Sequence, residues 1–170
     1  MTGPRLTHVD ETGAARMVDV SGKDVTVRTA TATGRVLVSA EVVALLRGGS
    51  VPKGDALAVA RIAGIQAAKR TPDLVPLCHP IAIHAVEVDL RVEDDAVHVS
   101  ATVRTADRTG VEMEALTCVA VAGLALVDMV KAVDRAATIT DVRVEHKAGG
   151  RSGEWRRPDG PVAGSGVAGS

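Results

Sequence analysis

The sequence predicts an α+β chain of the ferredoxin-like sandwich type, a four-stranded antiparallel sheet with helices on one face. Three observations predict it. The periodic segments run strand, two helices, strand, strand, helix, strand, which is the split βαβ order. The two central strands are separated by only a short polar turn, so they pair as a hairpin. The last helical segment, Gly110 to Ala136, carries apolar stripes on two sides and therefore belongs between layers.

Residues 1–21 carry charge without periodicity and read as an N-terminal arm. Val25 to Val38 alternates and reads as one long strand, with a break near Gly34; if Val27 faces the core, Arg28 faces the opposite side. Ser39 is an N-cap for a short helix, Ala40 to Arg47, which Gly48 and Gly49 end. A second helix spans Asp55 to Arg70, with Ala58, Ile62 and Ile65 on its inner face and Lys69 continuing that line. Thr71 to Pro80 contains three prolines and reads as an ordered turn or loop.

From His84 to Val92 the pattern alternates, with Val86, Val88, Leu90 and Val92 inward and Glu87, Asp89 and Arg91 outward. Val97, Val99, Ala101 and Val103 form the return strand. In the long helix, Leu116, Ala120, Gly123, Val127 and Val130 make the stripe suited to a sheet. Ala115, Cys118, Ala122, Ala125 and Met129 make a small-residue stripe that admits a close helix or subunit. The apolar run Ala115 to Val127 has 13 residues, too short to span a bilayer. A last strand, Thr138 to Lys147, turns Val142 and Val144 inward. The ferredoxin-like domain is thus 22–147, and 148–170, dominated by Gly, Ser, Arg and Pro, reads as a flexible tail.

Composition narrows the function. The 170 residues have a net charge of -1, so no basic field invites nucleic acid. There is no Phe or Tyr and one Trp, which removes the usual stacking platforms for bases. Cys78 and Cys118 belong to no metal-spaced cluster, and no signal peptide or membrane-spanning run precedes them, so a reducing cytoplasm fits. The common phosphate-cradling glycine loops are absent.

The charges that remain are few and well placed. Glu112 and Glu114 sit in the first turn of the long helix, where its dipole alone would favour them. Asp128 and Lys131 lie three residues apart near its end and read as an ion pair among apolar neighbours. From Glu114 to Asp128 is about 21 Å at about 1.5 Å per residue, so one small ligand cannot touch both ends within one chain. If both ends act, two subunits share the site. Leu77-Cys78-His79-Pro80 holds two reactive side chains on a stiff backbone. A Cys–His nucleophilic pair between sequence neighbours is disfavoured by geometry, and His79 with His84 lacks further metal ligands at sensible spacing. Arg28, Lys53, Lys69, Lys131 and Lys147 each sit at an element end, and as a set they suit a polyanion.

The segments LTHVDETGAARMVDVSGKDVTVRTATA, VPKGD, ARIAGIQAAKRTPDLVPLCHPI and TGVEMEALTCVAVAGLALVDMVKAVD occur in order between Leu6 and Lys147. In them the chain resembles the molybdenum cofactor biosynthesis protein C family, the cyclic pyranopterin monophosphate synthases. The resemblance implies a lyase of the phosphorus–oxygen type. Such an enzyme converts 3',8-cyclo-7,8-dihydroguanosine 5'-triphosphate into cyclic pyranopterin monophosphate and releases pyrophosphate. It implies a ferredoxin-like fold assembled as a hexamer of three dimers with pockets at the dimer interface. It assigns Asp128 and Lys131 as a catalytic pair and Lys53 as a further catalytic lysine. Leu77, Cys78, His79, Met113 and Glu114 become substrate contacts, with Arg28, Lys69, Glu112 and Lys147 as remaining pocket residues. No resident cofactor or metal is implied, although a magnesium ion could travel with the triphosphate. Two other classes stay open on the residues alone: a non-catalytic ligand-binding or assembly module of the same fold, and a plain nucleoside triphosphate hydrolase.

Overall fold

A computed structural model describes residues 7–49 and 55–158. In chain order the elements are β1 (Thr26–Leu37), α1 (Ala40–Gly48), α2 (Ala56–Ala68), α3 (Thr71–Leu74), β2 (Ile83–Val92), β3 (Ala96–Asp107), α4 (Glu112–Val130), β4 (Thr138–Ala148) and β5 (Trp155–Arg156). The sheet is antiparallel throughout, in the order β2-β3-β1-β4-β5. It has five strands where the pattern predicted four. The fifth pairs His146 and Lys147 with Arg156 and Trp155 inside the segment read as a tail. Two residues are too few to leave a periodic signal.

The helix starts follow from local chemistry. Ser39 accepts from the Val42 amide at the head of α1, and Asp55 accepts from the Ala58 amide at the head of α2. Gly49 ends α1 in the left-handed conformation. The prolines of the following loop do not exclude a helix: Thr71–Leu74 forms the one-turn α3 with Pro72 in its first turn, where the missing amide costs nothing.

The faces of two elements differ from expectation. On β1, Ala30, Ala32, Gly34 and Val36 are buried against the helices, while Val27 is 64% exposed. Arg28 therefore lies on the helix-facing side, not the opposite one. The strand runs unbroken through Gly34, although its pairing with β4 shifts there. A Cβ at Gly34 would strike the side chains of Val119 and Val142, so the glycine lets α4 sit close to the sheet. On α2 the buried residues are Ala56, Ala60, Gly64, Ala67 and Ala68, and Ile62 is exposed. A small-residue stripe wins because α2 packs along α4 at short range: a Cβ at Gly64 would lie 2.9 Å from the Cys118 carbonyl oxygen and 3.1 Å from the Ala122 side chain.

On the matching face of α4, Ala115, Cys118, Ala122 and Met129 are buried as predicted and Ala125 is half-buried, with α2 of the same chain as the neighbour. Gly123 of the other stripe rests on Val36 and Ile139 of the sheet, while Leu116, Ala120 and Val127 are only half-buried. At 19 residues α4 is long and apolar enough to cross a membrane by length and composition, longer than the 13-residue run counted from sequence. Here it is the central core helix. The far face of the sheet is polar, with a Thr31–Thr102 hydroxyl pair at 2.8 Å and Thr33 donating to Glu145.

Candidate functional site

The loop after α3 carries the first group of predicted residues to the start of α4. Thr71, fully buried, donates its hydroxyl to the Ala68 carbonyl, and the Val75 and Cys78 amides close successive turns onto Thr71 and Val75. These bonds lay Leu77, Cys78 and His79 beside Glu112, Met113 and Glu114, around a cavity of about 250 Å³. Thr109, Gly110 and His8 complete its wall.

His8 is a lining residue that the sequence reading missed. Asp10 accepts from the Thr12 and Ala14 amides and the Thr12 hydroxyl, and the Arg16 amide donates to the His8 carbonyl. The arm is thus folded back on itself. The Asp-Glu-Thr-Gly run at Asp10 is the signal that would have found this turn. The arm also reaches His79, whose Nε2 lies 2.7 Å from the Val18 carbonyl oxygen. A carbonyl only accepts, so Nε2 carries the proton and Nδ1 is the nitrogen left for a ligand.

Glu114 dominates the electrostatics. It is 3% exposed. Burial pushes its carboxyl up to about 7, with the charge of Glu112 adding to the rise and the Glu114 backbone amide opposing it. The Cys78 thiol is raised by burial and then by the Glu114 charge, so it stays protonated and is no activated nucleophile. Cys118, inside the α2–α4 contact, is pushed up to about 12 by burial and is chemically inert.

Two cations join this end through the sheet. Lys147 Nζ is 3.0 Å from a Glu112 carboxylate oxygen, and Arg28 Nε donates to the Asp107 carbonyl at 2.9 Å. Both side chains lie on the helix-facing side, because Lys147 stands opposite Ala30 in the β1–β4 register. Lys69 caps α2 and is exposed.

The remaining residues are elsewhere. Lys131 Nζ meets an Asp128 carboxylate oxygen at 2.5 Å, and their side chains are 59% and 58% exposed. The helix between Glu114 and Asp128 is continuous, so the separation of about 21 Å stands and the two groups face different surroundings. Lys53 lies outside the described residues. Among the described residues no group of three or more His, Cys, Asp or Glu side chains converges as a metal site would require.

Comparison with known proteins gives a consistent picture. The chain is 71% identical over 164 residues to a cyclic pyranopterin monophosphate synthase of Streptomyces griseus, covering 95% of this chain and 93% of that one. It is 72% identical over 157 residues to a protein of the same name from Nocardioides sp., covering 91% and 96%. It is 60% identical over 152 residues to cyclic pyranopterin monophosphate synthase 2 of Mycobacterium bovis, covering 89% and 91%. The MoaC family matches residues 17–150, which span every element from β1 to β4. The chain belongs to the MoaC family.

Proposed function

We propose that this chain is a cyclic pyranopterin monophosphate synthase of molybdenum cofactor biosynthesis. It would convert 3',8-cyclo-7,8-dihydroguanosine 5'-triphosphate to cyclic pyranopterin monophosphate and pyrophosphate, as a lyase. The observation that carries this reading is identity above 70% to proteins of that name along nearly the full length of both chains.

The geometry supports a site made by two copies. One end of α4 offers a binding cavity, and the other offers Asp128 and Lys131 in solvent, where a second copy's cavity can close over them. In this reading the first four strands form the ferredoxin-like arrangement, and the α2–α4 layer, with Val59, Ile62 and Leu124 exposed, faces the partner in a hexamer of three dimers. The cytoplasm is the proposed location, in keeping with two unpaired cysteines.

The residues divide the chemistry by environment. Ring opening and reclosure need proton transfers near neutral pH, and a carboxyl at about 7 is suited to give and take a proton there. Glu114 fills that role at the binding end. His79 presents Nδ1 and Cys78 a protonated thiol to the substrate. Lys131, with Asp128 beside it and Lys53 as a further cation, is the catalytic group contributed by the second copy. Lys69, Arg28 and Lys147 meet phosphate oxygens during in-line cyclisation at the α-phosphorus. No metal or cofactor is assigned to the chain.

The test is subunit complementation. Asp128→Ala and Glu114→Ala should each be inactive. An equal mixture after subunit exchange should recover about a quarter of wild-type turnover, as random pairing in a two-site dimer requires. A mixture that stays inactive despite demonstrated exchange rules out the shared site. Wild-type protein that releases pyrophosphate from ordinary GTP, or none from the cyclised nucleotide, rules out the synthase.

A further inference from the structure

A second cavity has the opposite character to the acid-lined one. A space of about 370 Å³ is lined by Lys23, Arg28 and Arg151, with Asp24 as its single carboxylate, and by Thr26 and the Gly150–Ser152 turn. The Thr26 hydroxyl is buried and has no hydrogen-bond partner among the described residues. An orphaned hydroxyl costs stability unless something else satisfies it.

The turn that carries Arg151 is built to lie against Arg28. Gly149 and Gly150 both have positive φ, 99° and 72°. A Cβ on Gly149 would strike the Val27 carbonyl, and at Gly150, which lies beside the Arg28 guanidinium, the left-handed φ favours glycine. Both ends of the turn are tied down. On the β4 side Lys147 pairs with Glu112. On the β5 side Trp155 and Arg156 pair with Lys147 and His146, and His146 Nε2 is 2.9 Å from Glu154. The Gly153 amide closes the turn onto the Gly150 carbonyl.

Charge decides what such a space takes. The cavity at the head of α4 has Glu112 and Glu114 in its wall and neither lysine nor arginine among its lining residues. The second offers two guanidiniums, an ammonium and a hydroxyl, donors that match phosphate oxygens. We propose that this cavity is a phosphate-binding subsite and that Arg151, Lys23 and the Thr26 hydroxyl hold the terminal phosphates of the nucleotide and the departing pyrophosphate. The identity of that nucleotide rests on the synthase reading; the oxyanion site does not.

Titration calorimetry of the full chain with inorganic pyrophosphate tests it. Wild type should bind pyrophosphate, Arg151→Ala about tenfold more weakly, and Arg151→Lys in between, as expected for loss of one charge-assisted contact. Arg151 is exposed on its turn, and a thermal melt checks that the variants fold. In turnover assays Arg151→Ala should lower kcat/KM for the cyclised triphosphate about tenfold. Equal pyrophosphate affinity of wild type and Arg151→Ala, or no binding to wild type, overturns the proposal. Arg151-dependent pyrophosphate binding without turnover would leave the subsite standing and sink the synthase.

Discussion

The two ends of α4 carry the same kinds of group and treat them in opposite ways. At the N-terminal end Glu114 is enclosed by the Leu77–His79 loop, and its carboxyl is pushed up to about 7. At the C-terminal end Asp128 and its partner Lys131 stand in solvent, more than half exposed. A carboxylate under a loop resists ionisation, whereas one beside an ammonium in water keeps its charge cheaply. The contrast teaches that one copy of the chain holds an enclosed carboxyl at one end of α4 and an exposed ion pair at the other, too far apart to meet on one small ligand.

The sharpest way to break the contrast is at the reactive end. Lys131→Gln should lower kcat by about a thousandfold, the range of a lost general acid–base group. Because the ion pair is exposed, its loss should change folding stability by less than about 1 kcal/mol. Parallel turnover and urea unfolding check this; a stability loss as large as that of a core substitution would mean that the pair is structural.

At the binding end the expected signature is pH-dependent. Glu114 has a folded-state value of about 7 against an ordinary 4.5, so the folded chain holds its proton more tightly than the unfolded one. The associated stability is fully present below about 4.5 and is lost as pH rises through about 7, a change on the order of 3 kcal/mol. Glu114→Gln should therefore match wild type near pH 4.5 and exceed it above pH 7. Urea midpoints across that window measure it, and parallel curves for the two proteins would show that the carboxylate is not held neutral.

The smallest effect probes the scaffold between the two ends. Gly64→Ala places a methyl against the Cys118 carbonyl and the Ala122 side chain, and should cost about 1–3 kcal/mol by overpacking the α2–α4 contact. Thermal denaturation reads it directly. An unchanged midpoint would mean that α2 can retreat from α4, and the rigid separation of the ends would lose its support.

Much of this was legible in residue order. Ser39 announced its helix because capping is local. The β2–β3 hairpin and the long helix announced themselves through periods of two and 3.6. Leu77–His79 and the two ends of α4 stood out as chemistry for the same reason, since residue type and spacing are properties of the chain. The family likeness in those motifs was legible too, and the comparisons with known proteins agree with it.

Other features were decided only when elements packed. Whether Val27 or Arg28 faces the helices depends on strand parity against β3 and β4, which alternation alone leaves two-valued. The inner face of α2 went to Ala60 and Gly64 because α4 approaches closely, a demand set by the partner helix. The fold-back of the arm onto His79, the strand Trp155–Arg156, and the two glycines under Arg28 are contacts between distant residues, so no local pattern announces them. The charge state of Glu114 is the clearest case. The sequence determined that a carboxylate stands in the first turn of a long helix, while the loop laid over it decided that this carboxylate is buried, because desolvation depends on what packs nearby in space.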